Sequence, residues 1–476
     1  MKVSICNALR TSALRARRSC PPLLQGAALR FTLVTAPRCS APHAARGRRE
    51  AGRGGDGGGA AAGRCRCGRR HRVGFASSER SAPPPLHREP RALPGGRAAP
   101  RRSAPGLHRA NPGRVSVPAE AFYQNHGRLY SMMKGKMGPS NVHLFTGTLC
   151  KELHEHMAHL GTAGTGDLME LVRHVMYPAV VNTLFGKGVC PTSQSQLREF
   201  EEHFWKYDED FEYASQMPEC LLRNWSKSKK WLLKLFEKVV SDAERTNPSE
   251  TTSKTLLQHL LDNLQGKHLA PNYGLLMLWA SQANAVPIAF WTLVFILSYP
   301  TVYKKVMEDL ASVFGSAGKD DIEVSEEDLK NLPYVKWCTL EAIRLRSPGA
   351  ITKKVIKPIR IQSFTIPAGD MLMLSPYWLH RNPKYFPDPE MFKPDRWKEA
   401  NLEKNAFLDG FVAFGGGKHQ CPGRWFAIME IQLFVVLFLY KYQFVLLDAV
   451  PKESPLHLVG TQQPLTPFRV QYKGWE

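Results

Sequence analysis

Acidic residues are nearly absent from the first 118 positions, which hold 4 Asp and Glu against 24 Lys and Arg. Aromatics are few there, and no apolar periodicity is sustained after about Val34. A stretch with so little apolar surface to bury cannot offset its ordering entropy, so residues 1–118 are expected to be largely disordered. It contains no uninterrupted apolar run of about 18 residues, so the signature of a membrane-spanning anchor is missing from it. Cysteine is sparse as well. Ten occur in 476 residues, five on each side of position 118 and without even spacing, which argues against a disulfide framework. Cys65 and Cys67 form a CxC pair, but no second pair or histidine cluster stands at the spacing that structural zinc requires.

The formal charge of +22 belongs to one end, because the rest of the chain holds 40 basic and 38 acidic residues, a net of +2. The Arg-rich, acid-free first thirty or so residues resemble a mitochondrial presequence, or more plainly a leader of biased composition. Arginine without interleaved aromatics is a weak signal for nucleic-acid binding, and no nucleic-acid partner is expected.

From residue 119 to 476 the composition is that of a globular protein. Asp167 to Leu184, Leu221 to Val240, Asn272 to Leu297 and Ser325 to Arg346 carry apolar residues at helical spacing or in a longer buried run. Asn272 to Leu297 is almost wholly apolar, but Ser281, Gln282 and Asn284 interrupt it and Pro287 is expected to bend it, which suits a central buried helix. After Arg346, Pro348, Pro358, Pro367 and Gly369 punctuate short alternating segments such as Val355 to Ile361, expected as strands and turns. A further apolar helix, Trp425 to Phe438, follows Cys421, and a short strand-like hairpin region closes the chain. The expected class is mainly α with small β-sheets.

Phe414-Gly-Gly-Gly-Lys-His-Gln-Cys421-Pro-Gly423 places a lone cysteine in a glycine-rich loop just before that helix. Glycines let backbone approach a flat ligand and turn sharply. A helix N-terminus favours the thiolate, which suits a metal ligand. Upstream, Glu341 and Arg344 stand one helical turn apart, and Phe392-Lys-Pro-Asp-Arg396-Trp397 follows them.

These three motifs, in this order, resemble those of the cytochromes P450. The cysteine loop matches the family's haem signature F-x-x-G-x-basic-x-C-x-G, with His419 in the basic slot. The resemblance implies the P450 fold and haem b, its iron held by the Cys421 thiolate, with Phe414, Gly417, His419 and Gly423 lining the cofactor. It implies a structural triad of Glu341, Arg344 and Arg396 behind the haem. The family's W-x-x-x-R pair for a propionate has no tryptophan here, leaving Lys353, with Arg128, Lys134 or Lys136, as substitutes. Where most members carry an acid and a threonine for oxygen activation, Asn284 and Ala285 stand, as in the branch of sterol 7α- and 12α-hydroxylases and prostacyclin synthase. Lys134-Gly-Lys-Met137, Asn224 to Trp231, Leu278 to Ser281 and Leu379 to Phe386 are similar to the oxysterol 7α-hydroxylases within that branch.

The resemblance therefore implies a monooxygenase acting on an oxysterol such as 24-hydroxycholesterol, in cholesterol catabolism and bile acid synthesis. It would use O2 and electrons from NADPH through a reductase. Pocket contacts are expected from Tyr213 to Pro218, Ala283 to Pro287, Ala350 to Thr352 and Leu458 to Gly460, with Ala283, Pro287 and Ile351 foremost. The family sits on the endoplasmic reticulum membrane, a mitochondrial address being the alternative, and the surface around Trp225 to Leu235 is expected to meet lipid. The family's anchor, first helices and part of its first sheet are not recognisable in residues 1–118. Two other functions remain open at this point: a haem-thiolate isomerase of the prostacyclin synthase kind, and a non-catalytic chain with a basic binding tail.

Overall fold

Several helix starts coincide with side chains that satisfy a free amide of the first turn. The Asp167 carboxylate accepts from the Met169 N–H at 3.0 Å and from Phe468, which joins a helix start to the far end of the chain. Thr255 with Gln258, and Ser325 with Asp328, form reciprocal capping boxes. The structure, a computed structural model, describes residues 116–191, 193–215, 217–245, 254–318 and 321–475. The expectations for residues 1–115, including the leader and the Cys65/Cys67 pair, lie outside the described residues.

In chain order the elements are α1 (Ala119–Lys136), α2 (Thr146–Ala158), β1 (Ala163–Asp167), α3 (Leu168–Phe185), α4 (Gln194–Glu209), α5 (Phe211–Ala214), α6 (Arg223–Arg245), α7 (Leu256–Asn263), α8 (Ala270–Gln282) and α9 (Ala285–Ser298). There follow α10 (Pro300–Phe314), α11 (Glu326–Lys330), α12 (Pro333–Arg346), β2 (Ile351–Lys354), β3 (Ile359–Ile361), β4 (Phe364–Ile366), β5 (Met371–Leu374), α13 (Pro376–His380), α14 (Arg424–Lys441), β6 (Tyr442–Leu446) and β7 (Arg469–Gly474). Short 3-10 turns connect several of them. The mainly helical class with small sheets is thus observed.

Helices α9 and α14 are apolar on all sides and buried along nearly their whole length, as core helices must be. α9 packs against α12, α14 and α3, while α6 lies across α4 and α8. The stretch Lys267–Ser298 is long and apolar enough to cross a membrane, but 78% of its most apolar window is buried inside the protein. β7 is the middle strand of an antiparallel sheet ordered β1-β7-β6, and β2 pairs with β5 and β3 with β4. Met371, Met373 and Leu374 on β5 and Phe364 on β4 are exposed.

Three expectations change. The single helix across Asn272 to Leu297 is two, α8 and α9, broken at Ala283–Asn284. Pro287 explains the place: its ring has no N–H for the carbonyl four residues earlier, that of Ala283, so the discontinuity falls there rather than at the proline. Ser325 to Arg346 is likewise two helices, because Pro333 starts a new one. Of Val355 to Ile361 only Ile359–Ile361 is a strand; Val355 instead exchanges backbone hydrogen bonds with the turn at Gly369 and Asp370.

Candidate functional site

The cysteine loop is shaped by glycine. Gly415 and Gly417 take φ of +74° and +66°, the left-handed region that other residues enter only with strain. A Cβ built on Gly415, Gly416 or Gly417 would meet nothing, so this backbone borders open space. The Cys421 N–H donates to the Phe414 carbonyl at 2.8 Å, which closes the loop. Phe414 itself lies among Phe407 and Phe411, and Gly423 is the N-cap of α14.

The Cys421 side chain is accessible. Enough protein surrounds it that burial raises its thiol above the ordinary value, opposed by the Gly423 and Arg424 amides and the Arg424 charge. Those amides and that charge are arranged to favour a thiolate, and a bound metal cation would tip the balance to it. A soft thiolate at a helix N-terminus, beside side-chain-free backbone, fits an iron carried by a flat macrocycle.

Two other elements reach this loop. The Tyr130 hydroxyl on α1 donates to the Gln420 carbonyl at 2.7 Å. His126, one turn earlier on the same face, lies with its ring 5.5 Å from that of His419. Burial lowers the His126 pKa, and nearby His419 and Lys353 lower it further, so three cationic or potentially cationic groups share one edge of the loop. This is the place where two haem carboxylates would be favoured. Arg128, by contrast, turns away to the Asn263 carbonyl at 3.5 Å, so it is not a member of the cluster. Lys134 and Lys136 lie in the last turn of α1, where Lys136 is near His259. His126-x-x-x-Tyr130, with its i, i+4 spacing, was the signal that could have replaced the missing tryptophan pair.

Behind the loop, one carboxylate organises a buried network. Glu341 accepts from Arg344 Nε and Nη2 at 2.9 and 2.8 Å, from Arg396 Nε at 2.9 Å, from Trp397 Nε1 at 3.0 Å and from the Lys393 amide at 3.1 Å. Arg344 spends its remaining donors on the carbonyls of His380, Pro389 and Met391. His380 is fully buried, stacks on Phe411 and accepts the Val412 N–H at Nε2, 3.1 Å away. Burial, then the Arg344 and Arg381 charges, pushes His380 down to about 3, so it is neutral and can act as that acceptor.

Residues in or beside the four segments expected around a pocket are hydrogen-bonded to one another. Asn284, at the break between α8 and α9, is exposed while Ala283 and Ala285 on either side are buried. Asn284 Oδ1 accepts from the Thr461 N–H at 3.0 Å. Ser347, just before Ala350 and Ile351, has its hydroxyl 3.2 Å from that of Thr461. Pro287 is buried and Ile351 is half-buried at the start of β2. Glu212, next to Tyr213, accepts from the amides of Leu458, Val459 and Gly460. Glu212 had been overlooked: nothing local distinguishes it, and its partners lie 246 or more positions away.

On α6, Trp225 and Leu232 are buried, Trp225 stacking on Tyr207 and donating to its carbonyl. On the surface expected to meet lipid, from Trp225 to Leu235, Lys227, Lys230 and Lys234 are exposed and Trp231, Leu233 and Leu235 are half-buried.

A family model described as Cytochrome P450 matches residues 140–471. The human 24-hydroxycholesterol 7-alpha-hydroxylase is 58% identical over 362 residues, covering 75% of this chain and 77% of that protein. The mouse 24-hydroxycholesterol 7-alpha-hydroxylase is 58% identical over 359 residues, covering 75% of this chain and 76% of that protein. Among solved structures, retinoic acid bound cyanobacterial CYP120A1 superposes with a TM-score of 0.63 at 20% identity, covering 77% of this chain and 82% of that one, a likeness of fold.

Proposed function

The chain belongs to the cytochrome P450 family, and from that premise we propose that it is a haem-thiolate monooxygenase that 7α-hydroxylates an oxysterol, 24-hydroxycholesterol or a close analogue. The observation that carries the reading is the accessible Cys421 thiol at the start of α14, in a loop whose glycines leave open space beside it. The substrate class is supported by 58% identity to hydroxylases of that sterol, which favours hydroxylation over isomerisation.

Haem, when bound, supplies activated oxygen for insertion at an apolar C–H bond, with electrons from NADPH through a separate reductase. The protein's own residues hold, orient and exclude water. Cys421 is the iron ligand, and Gly415 to Gly417 allow the backbone to lie close to the ring. Lys353 would supply positive charge at one edge, with His126 and His419 beside it as ring N–H donors. Glu341, Arg344 and Arg396 keep the segment before the cysteine loop in place. Asn284 has its carbonyl oxygen committed to Thr461, so its amide NH2 is the group left to donate to a substrate oxygen. Ala283, Pro287, Ile351, Leu458 and Val459 form the apolar wall.

Residence on the endoplasmic reticulum membrane belongs to the same reading. It is supported by exposed Ile356, Phe364 and Trp378, at 82%, 58% and 64% of their full accessibility.

The test is spectral and chemical. The reduced protein under carbon monoxide should give a strongly red-shifted, thiolate-type Soret band that Cys421→Ala abolishes. With reductase, NADPH and 24-hydroxycholesterol it should form the 7α-hydroxylated product. A thiolate band without product from any oxysterol would sink the substrate assignment; no band in the parent protein would sink the haem assignment.

A further inference from the structure

Four successive backbone amides, from Leu458 to Thr461, are gathered by two side chains. Glu212 takes three of them: Oε2 accepts from Leu458 at 3.2 Å, and Oε1 from Val459 and Gly460 at 2.8 and 3.2 Å. Asn284 Oδ1 takes the fourth at 3.0 Å. Consecutive amides that converge in this way make a concavity suited to an anion, and here the anion is part of the chain. The fit at Gly460 is close, since a Cβ there would lie 2.9 Å from Asn284 Oδ1.

Both acceptors are anchored to α8. Asn284 lies just beyond its last turn. Glu212 sits beside Phe211, which stacks on Trp279 of α8 with ring centroids 3.7 Å apart, and the Trp279 indole donates to Asp208 at 2.9 Å. Among the described residues no cation pairs with Glu212, so the amides are its recorded partners. Burial raises its pKa while the three amides oppose the rise. What the clamped loop leaves open is apolar: Leu458 and Val459 are 46% and 51% exposed.

We propose that Glu212 is a positioning residue for the sterol, a carboxylate that fixes the Leu458–Gly460 loop against α8 so that Leu458 and Val459 present a defined apolar wall beside Asn284. This rests on the oxysterol reading above and adds to it the residue that sets the wall. Glu212 touches neither the reacting atoms nor the iron ligand; it acts through the loop.

Two readouts test it in the full chain, one of which needs no sterol. Amide hydrogen exchange of the segment spanning Leu456 to Gln463 should quicken in Glu212→Ala by about tenfold or more, the change that 1.4 kcal/mol makes. The midpoint of the Soret shift induced by 24-hydroxycholesterol should rise by a similar factor of about ten while the thiolate band is retained. Glu212→Gln should fall between the two, because one oxygen still serves Val459 and Gly460. If Glu212→Ala does not fold, Gly460→Ala displaces the same loop from its other end and should show the same pair of effects. Unchanged exchange in these variants would overturn the clamp, and faster exchange with unchanged sterol binding would overturn the positioning role. A parent protein that shows no sterol shift would count against the oxysterol reading alone, since the exchange measurement still decides the clamp.

Discussion

The Tyr130 hydroxyl donates to the Gln420 carbonyl at 2.7 Å, across 290 positions, so a helix near the start of the described chain holds the peptide immediately before Cys421. Tyr130→Phe removes that bond and leaves the ring in place. A neutral hydrogen bond contributes about 0.5–1.5 kcal/mol, so the global loss of stability should be small. The local effect should be larger: on warming, the reduced carbon monoxide complex of the variant should lose its thiolate-type band before the parent does. Identical loss curves would show that α1 does not support the loop.

Glu341 is the acceptor for two arginines, an indole and an amide, and its removal leaves charged donors buried without a partner. Breaking such a pair from one side costs about 3–5 kcal/mol. Glu341→Ala should therefore yield little folded protein, and Glu341→Gln, which keeps the shape and one acceptor, should be intermediate. Thermal unfolding followed by circular dichroism orders the three, and a melting temperature for Glu341→Ala within a degree or two of the parent would contradict the network's role.

Two buried histidines give a pH dependence of definite sign. His380 is pushed down to about 3 and His156 to about 4, each first by burial, then by Arg344 and Arg381 for the former and by His159 for the latter. A histidine whose folded pKa lies below its unfolded value of about 6.5 binds more protons when unfolded. Stability from both is fully present above pH of about 6.5 and falls as the pH drops toward their folded values, by up to about 1.4 kcal/mol per unit for each. Urea midpoints between pH 7 and 5 should fall, and by less in His156→Gln. A slope unaffected by that substitution would remove His156 from the account.

The edge formed by His126, His419 and Lys353 should matter more for holding haem than for folding. His126→Ala and Lys353→Ala together are expected to speed haem transfer to an acceptor globin several-fold without moving the unfolding midpoint of the haem-free protein. Arg128→Ala, whose guanidinium points to Asn263, should leave transfer unchanged.

What was legible in the sequence was local. The loop from Phe414 to Gly423 is continuous, and Glu341 and Arg344 are separated by one turn, so spacing alone carries both. Asp167 at a helix start is equally local, whereas Pro333, which starts a second helix inside Ser325 to Arg346, was masked by the continuous apolar spacing. The break between α8 and α9 was anticipated only in part, since a proline disturbs the carbonyl four residues before it and the discontinuity appears at Ala283–Asn284. Contacts made through long loops left no trace: Glu212 finds Leu458, Tyr130 finds Gln420, and Trp397 joins Glu341 through an indole that no pattern distinguishes from an ordinary core residue. The burial of Trp225 was equally hidden. Its place beside lysines reads as amphipathic, and only the packed fold shows which side of the helix is inside.

The sheet formed by β1, β7 and β6 has a consequence for synthesis. Its middle strand is the last of the three to be made, and the contact from Asp167 to Phe468 spans 301 positions. At about 5–20 residues per second the ribosome needs roughly 15–60 s to travel that distance. For that interval β1 has no strand to pair with, so the sheet can close only after translation reaches β7.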